Sequence, residues 1–197
     1  MEPEDTGFDS AEKRRPSRSP MKQGEGQVEL ARLLTALPTY QLVGGVSLAA
    51  GDMGVRVSGI AYDSRVVRPG ELFVAVRGMR EDGHKYAADA VARGAVAVVG
   101  EELVELPAGA AGVMQIVVSD SRDALSRLSA EFYRHPSRQL RVIGVTGTKG
   151  KTSTTYLIKA ILEAAGERVG LIGTIQNLIG GDALPARRTT PESTDLQ

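Results

Sequence analysis

The sequence predicts an α/β protein in which a small α/β domain is followed by the first βαβ unit of a phosphate-loop, parallel-sheet domain. Three observations carry that prediction. Short β-branched runs alternate with helical patterns from about residue 28 to residue 118. A glycine-bearing loop, Gly147-Thr148-Lys149-Gly150-Lys151-Thr152-Ser153, separates an apolar run at 140–145 from a helical pattern at 151–165, and a second apolar run follows at 168–172. Strands alternating with helices are the sequence form of βαβ units.

Composition narrows the function classes. The chain has 197 residues, 42% hydrophobic and 24% charged, enough for one large or two small domains. Its 24 Lys and Arg balance 24 Asp and Glu, which gives no global attraction to nucleic acid or anionic lipid. The absence of Cys excludes disulfides, thiolate nucleophiles and zinc-thiolate sites, and leaves only His84 and His135 to offer imidazole. No apolar run approaches the roughly 18 residues that span a bilayer, and no apolar core follows the basic amino-terminal residues. The expectation is a cytoplasmic protein that binds neither nucleic acid nor membrane.

Residues 1–26 are rich in Glu, Arg, Ser, Pro and Gly and have little to bury, so they read as a disordered tail, with Lys13, Arg14 and Arg15 solvated and Met21 a possible start. Leu30, Leu33, Leu34 and Leu37 follow helical spacing up to Pro38. Residues 55–62 and 71–76 read as strands, joined through Asp63-Ser64-Arg65 and a Pro69-Gly70 turn. Asp82-Gly83 precedes a helix over 84–93, which Gly94 ends, with His84 packing or capping at its start. Strands at 95–99 and 113–118 complete a domain over 27–118. Asp120 or Ser121 caps the next helix, whose apolar face is Leu125, Leu128 and Phe132 and which Pro136 closes; it reads as the bridge into a second domain, 119–197. There, strand 140–145, helix 151–165 with Ile158, Leu162 and Ala165 inward, and strand 168–172 make one right-handed βαβ unit.

Each residue type in the loop has a physical task. Its glycines let successive amide N–H groups converge on one anion, the helix amino terminus adds its positive dipole end, and Lys151 brings a mobile cation to the β- and γ-phosphates. The Thr152 hydroxyl is placed to bind Mg²⁺. The usual phosphate-loop spacing needs Gly where Val145 stands, so the bare string is a weak signal; a strand before it and a helix after it raise nucleotide binding above an ordinary strand-to-helix turn.

Read from Gly144 to Thr155, the loop resembles the ATP loop of the Mur ligases, the ATP-dependent amide-forming enzymes of peptidoglycan precursor synthesis, whose spacing is this shorter one. Tyr62-Asp63-Ser64-Arg65, Pro69-Gly70-Glu71-Leu72-Phe73-Val74-Ala75-Val76, Asp82-Gly83-His84 and residues 90–99 resemble the family's amino-terminal UDP-binding domain. Gly170-Leu171-Ile172-Gly173-Thr174 and Thr189-Thr190-Pro191-Glu192-Ser193 are similar to its third-residue-adding branch. Lys149 and Arg188 stand where the family more often has Asn.

The resemblance implies ATP and Mg²⁺ as cofactors, and as substrates UDP-N-acetylmuramoyl-L-alanyl-D-glutamate and a diamino acid, meso-diaminopimelate or L-lysine, joined through an acyl phosphate. It implies ATP contacts from Gly147, Thr148, Lys149, Gly150, Lys151, Thr152 and Ser153, with Thr152 on the metal. Ser64 is to meet the UDP-sugar with Tyr62 beside it, the loop Met79, Arg80 and Glu81 the uridine part, and Thr189 and Thr190 the sugar-peptide end. It further implies that the chain is the amino-terminal part of such a ligase, with an incomplete central domain, no catalytic residue of its own, a monomeric state and no activity alone. The alternatives are a non-catalytic UDP-sugar or nucleotide-binding fragment, a fourth-residue-adding ligase and, more weakly, another phosphate-loop protein such as a kinase or GTPase. On residue type alone, Asp63-Ser64-Arg65 is an Asx-type turn, Thr189-Thr190-Pro191 an extended turn, and Arg187 and Arg188 are solvated.

Overall fold

Five strands form the central sheet in the order β2-β7-β6-β5-β4. The computed structural model describes residues 26–44, 54–78, 81–110, 112–179, 182–185 and 191–196. Its elements begin with β1 (Val28–Glu29), α1 (Leu30–Leu34), β2 (Gln41–Val43), β3 (Arg56–Val57), β4 (Gly59–Ala61) and β5 (Glu71–Val74). After these come α2 (Ala87–Ala92), β6 (Ala97–Gly100), β7 (Met114–Val117) and α3 (Ser121–Phe132). The last are α4 (Lys151–Ala164), β8 (Leu171–Ile172), β9 (Gln176–Ile179), β10 (Asp182–Pro185) and α5 (Ser193–Leu196). Short 3-10 turns occupy Ser64–Val66, Gly83–Tyr86 and Pro136–Gln139. The tail over 1–25, including Met21, lies outside the described residues, as do Met79, Arg80, Arg187, Arg188, Thr189 and Thr190.

Pairing is parallel from β4 through β7, and β2 adds antiparallel at the β7 edge. Alternate residues of each strand serve opposite faces, because successive side chains point to opposite sides of a pleated strand. Ile60, Leu72, Val74, Ala97, Val99, Met114 and Ile116 join Leu30, Leu33 and Leu34 of α1 and Leu125, Leu128 and Phe132 of α3 in one core. Ala61, Phe73, Ala75 and Val98 face the other way, onto Ala87 and Ala90 of α2. The sheet is thus covered on both faces, as parallel sheets require. Gly94 ends α2 with φ +99, and a Cβ there would lie 2.9 Å from the Pro69 Cα, so both the backbone angle and the space call for glycine.

Several expectations change. Helix α3, read as a bridge to a second domain, packs into the first core, since its apolar face finds the sheet already beside it. Its cap is Asp120, whose Oδ1 accepts from the N–H groups of Arg122 (2.8 Å) and Asp123 (2.9 Å). The helix stops at Phe132, before Pro136, because Arg134 (φ 61) and His135 (φ 52) turn left-handed and the His135 N–H reaches back to the Ala130 carbonyl at 2.7 Å. The strand expected over 55–62 is two pieces: Val57 pairs with Val28 of β1, while Gly59 to Ala61 pair with β5. The helix expected over 84–93 begins as the 3-10 turn Gly83–Tyr86 and becomes α-helical at Ala87.

Beyond residue 139 the expected parallel unit is not formed among the described residues. Residues 140–145 are extended chain without a ladder partner, and Leu140, Val142 and Ile143 are more than half exposed. Strand β8 pairs antiparallel with β9, and β9 with β10, in a three-stranded meander. A parallel pair needs a strand buried on both faces, and neither run has that cover here. Helix α4 half-buries Ile158 and Leu162; Ala165 is its exposed C-cap, and Gly166 (φ +88) ends it as expected.

The first core dictates where truncation is costly. Leu128→Ala is expected to destabilise the fold by about 2–5 kcal/mol, because it removes a fully buried side chain and leaves a cavity. Leu157→Ala, at a side chain 64% exposed, is expected to change stability by less than about 0.5 kcal/mol. Urea unfolding followed by circular dichroism separates the two, and equal losses would contradict this account of the core.

Candidate functional site

The carboxyl ends of β4, β5, β6 and β7 lie along one edge of the parallel sheet, the place where open α/β sheets bind ligands. The chain leaves each strand there into a polar turn. After β4, Asp63 Oδ1 accepts from the Arg65 N–H at 3.0 Å, and the Asp63 carboxylate holds the Arg65 guanidinium at 2.9 and 2.7 Å. That carboxylate raises the already high pKa of Arg65. The Asx-type reading of this turn is therefore correct, and its effect is to fold Ser64 inward. Ser64 is 5% exposed, and its hydroxyl makes no hydrogen bond to the described residues, although the oxygen itself is not sealed among the buried unpaired atoms. The neighbouring Tyr62 hydroxyl donates to Asp195 Oδ2 at 2.6 Å.

After β5 the chain makes a tight excursion. Arg77 and Asp82 form an isolated antiparallel bridge, and the Gly78 N–H donates to the Glu81 carbonyl at 2.9 Å, which leaves residues 79 and 80 between them. Tyr86 donates to Glu81 Oε2 at 3.2 Å, and that carboxylate raises the phenol's pKa, keeping it a donor. Of the expected uridine loop, only Glu81 is described.

His84 closes this edge. Its Nδ1 lies 2.5 Å from Asp82 Oδ1, and its Nε2 accepts from the Glu101 N–H at 2.8 Å, which fixes the neutral tautomer with hydrogen on Nδ1. Glu101 Oε1 in turn accepts from both the N–H (3.1 Å) and hydroxyl (2.8 Å) of the buried Ser121, tying the start of α3 to the end of β6. Arg77 pairs with Asp82, Glu101 and Glu102 at 3.5, 3.4 and 3.0 Å. Asp82, His84 and Glu102 come close enough together to suggest a cation site. The chemistry does not fit one: both ring nitrogens are committed, and the Arg77 guanidinium already pairs with both carboxylates. His84 is a packed structural residue, as its position at the helix start implied.

The second group is the loop before α4. Gly150 takes φ +80 and Gly147 φ +150, and no side chain caps the helix. Lys151 is its first residue, and its Nζ donates to the Gly147 carbonyl at 2.6 Å, so the ammonium lies folded over the loop. Residues 146–151 and 153 are exposed and Thr152 is half-buried. The seven loop residues lie on one turn that leads into α4, and no strand of the structure immediately precedes it. No described hydrogen bond or ion pair joins them to the Tyr62–Ser64 turn.

Residues 191–196 were not read as packing anywhere, yet they dock on the first unit. Arg122 Nη1 lies 2.8 Å from both carboxylate oxygens of Glu192, Tyr62 holds Asp195, and Thr194 is buried against this surface at 5% exposure. Contacts across 70 and 133 positions leave no local signal in a sequence.

Comparison with known proteins agrees with this arrangement. Residues 46–133 match the Mur ligase family, catalytic domain, and residues 145–197 match the Mur ligase middle domain. The chain belongs to the Mur ligase family. It is 47% identical over 148 residues to the UDP-N-acetylmuramoyl-L-alanyl-D-glutamate--2,6-diaminopimelate ligase of Caldanaerobacter subterraneus subsp. tengcongensis, covering 75% of this chain and 30% of the relative. It is 42% identical over 164 residues to the enzyme of the same name from Streptomyces coelicolor, covering 83% and 32%. A solved structure of a ligase of that name aligns with TM-score 0.58 and 28% identity over 79% of this chain and 32% of the other. The MurF structure from Acinetobacter baumannii aligns with TM-score 0.50 and 28% identity over 76% and 29%. The chain therefore spans about 30% of the length of the curated relatives it matches. No helix among the described residues is long and apolar enough to cross a membrane.

Two carboxylates set a pH dependence. Hydrogen bonds from His84, with Arg77 nearby, hold Asp82 below the ordinary carboxylate range, and Arg32 and His135 do the same for Glu131. A depressed folded-state pKa contributes stability that is complete above the unfolded value, near 4, and is lost as pH falls through the folded value. The melting temperature is expected to fall as pH drops below about 4, and Asp82→Asn with Glu131→Gln to flatten that fall. Calorimetric melts from neutral to acid pH test this, and an unchanged slope in the double variant counts against it.

Proposed function

We propose that this chain is the UDP-sugar-binding and ATP-binding part of a Mur ligase that adds the third peptide residue to UDP-N-acetylmuramoyl-L-alanyl-D-glutamate. The names of the relatives favour 2,6-diaminopimelate as that residue. The observation that carries the reading is Ser64: a residue 5% exposed, at the carboxyl end of a parallel strand, whose hydroxyl makes no hydrogen bond to the described residues. A hydroxyl both donates and accepts, so this one is available to a polar group of a ligand at the strand end.

In this reading residues 27–118, extended by α3, form the UDP-sugar unit, and the following residues begin the ATP-binding unit with its phosphate loop. Ser64 and Tyr62 hold the sugar-diphosphate side, the Met79, Arg80 and Glu81 loop the uridine side, and Thr189 and Thr190 the sugar-peptide end. Bound ATP supplies a phosphoryl group that converts a carboxylate into an acyl phosphate, which gives the attacking amine a leaving group. The chain's own task is positioning and charge neutralisation. Gly147, Thr148, Lys149, Gly150 and Ser153 present the loop and the uncapped start of α4 to the phosphates. Lys151 releases the Gly147 carbonyl and turns to the β- and γ-phosphates. Thr152 would hold Mg²⁺ through its hydroxyl oxygen, and the ion would supply positive charge to offset that of the phosphates. The cytoplasm, where ATP and nucleotide-sugars are available, is the compartment this chemistry requires.

Two substitutions separate the ligands. Lys151→Ala is expected to abolish measurable ATP binding while UDP-N-acetylmuramoyl-dipeptide still binds, because the phosphates lose a charge-assisted donor. Ser64→Ala is expected to weaken the UDP-sugar by about 0.5–1.5 kcal/mol and leave ATP unaffected. Isothermal titration of each variant reads both constants. ATP bound by Lys151→Ala at full affinity would reject the loop assignment, and unaltered UDP-sugar affinity in Ser64→Ala would reject the turn.

A further inference from the structure

Residues 191–196 reach back across the start of α3 to the turn that follows β4. Their first anchor is Glu192, whose side chain is 13% exposed and receives Arg122 Nη1 on both oxygens at 2.8 Å. Arg122 starts from a fixed base, since Asp120 caps the first turn of α3 through the Arg122 and Asp123 N–H groups. The second anchor is Asp195, which accepts from the Tyr62 hydroxyl at 2.6 Å. Between the two lies Thr194, 5% exposed, its Oγ1 without a hydrogen-bond partner. Helix α5 has a single turn and buries only Thr194, so apolar packing alone is too small to hold it. The two polar anchors set its place.

The consequence falls on Tyr62. A phenol has one proton to donate, and here the Asp195 carboxylate fixes its direction. Tyr62 is two residues from Ser64, so whatever orients the phenol also shapes the surface beside the Ser64 hydroxyl. We propose that Arg122 and Asp195 are positioning residues for the UDP-sugar site: they fasten residues 191–196 onto α3 and so hold the Tyr62 ring in its binding orientation. The proposal rests on the UDP-sugar reading of the Tyr62–Ser64 turn. Neither residue touches the ligand in it; each acts through a neighbour. The arrangement makes the affinity of the first unit for its ligand depend on a segment more than a hundred residues downstream.

The test uses the whole chain with four variants: Arg122→Glu, Glu192→Arg, the two combined, and Asp195→Asn. Titration calorimetry measures UDP-N-acetylmuramoyl-dipeptide and, separately, UDP, while hydrogen exchange follows residues 191–196. Each single charge reversal is expected to speed exchange in 191–196 and to weaken the muramyl ligand about fivefold or more, with UDP, which lacks the sugar-peptide contacts, weakened less. The combined variant is expected to restore both readings, and Asp195→Asn, which keeps an acceptor for Tyr62, to stay within about twofold of the parent chain. Single reversals that bind the muramyl ligand as the parent does would overturn the positioning role while leaving the UDP-sugar reading intact. Equal weakening of UDP and the muramyl ligand without rescue in the combined variant would overturn it too, as general damage. Failure of the parent chain to bind the muramyl ligand would instead bring down the UDP-sugar reading, and this proposal with it.

Discussion

Apolar side chains on both faces of a parallel ladder are the constraint from which the rest of this structure follows. Strands β4 to β7 alternate between two cores, so helices must lie above and below them: α2 comes from the β5–β6 crossover, and α1 and α3 from the chain before β2 and after β7. Every crossover then leaves its polar turn at the same edge. Ser64, Glu81, Glu101 and Asp120 come from four separate turns and lie along that edge because the strands run one way. The site is a by-product of the cover the sheet demands.

The same constraint explains the contrast between the two parts. The first unit has α1, α3 and α2 on its two faces and buries every residue of β4, β5 and β6. The second has an apolar run at 140–145 and an α4 face bearing Leu157 and Ile161 that no described residue covers. Its short strands turn back on each other as an antiparallel meander, a pairing that tolerates one wet face. Among the described residues the phosphate loop therefore stands on a helix whose start is fixed locally, by Gly150 and Lys151, more than by a sheet beneath it.

Much of this was legible in the sequence, and the parts that were not share a cause. Local rules located α3 through Asp120 and its apolar stripe, the ends of α2 and α4 through Gly94 and Gly166, and the phosphate loop through its residue types. Periodicity showed that Leu125, Leu128 and Phe132 share a face, but which surface they cover is a long-range fact, so α3 was assigned to the wrong neighbour. Gln41 to Val43 is too short and too mixed to announce an edge strand, and Ser58 gives no sign that the strand changes partner there. In the candidate site, Ser64 was singled out from its motif and Glu192 stood within the Thr189–Ser193 motif without a contact assigned to it, whereas Arg122 and Asp195 carry no local pattern and were missed.

The Tyr62–Asp195 hydrogen bond also bears on the order in which the molecule assembles. It spans 133 positions, and closing a loop of that length costs entropy that one polar contact does not offset. Such a contact forms late, after the sheet and α3 have already brought its ends together, whereas the β9–β10 hairpin forms from neighbours within microseconds. The fastening of α5 thus depends on the first unit having folded, and the edge that carries Tyr62 is complete only once this distant segment has docked.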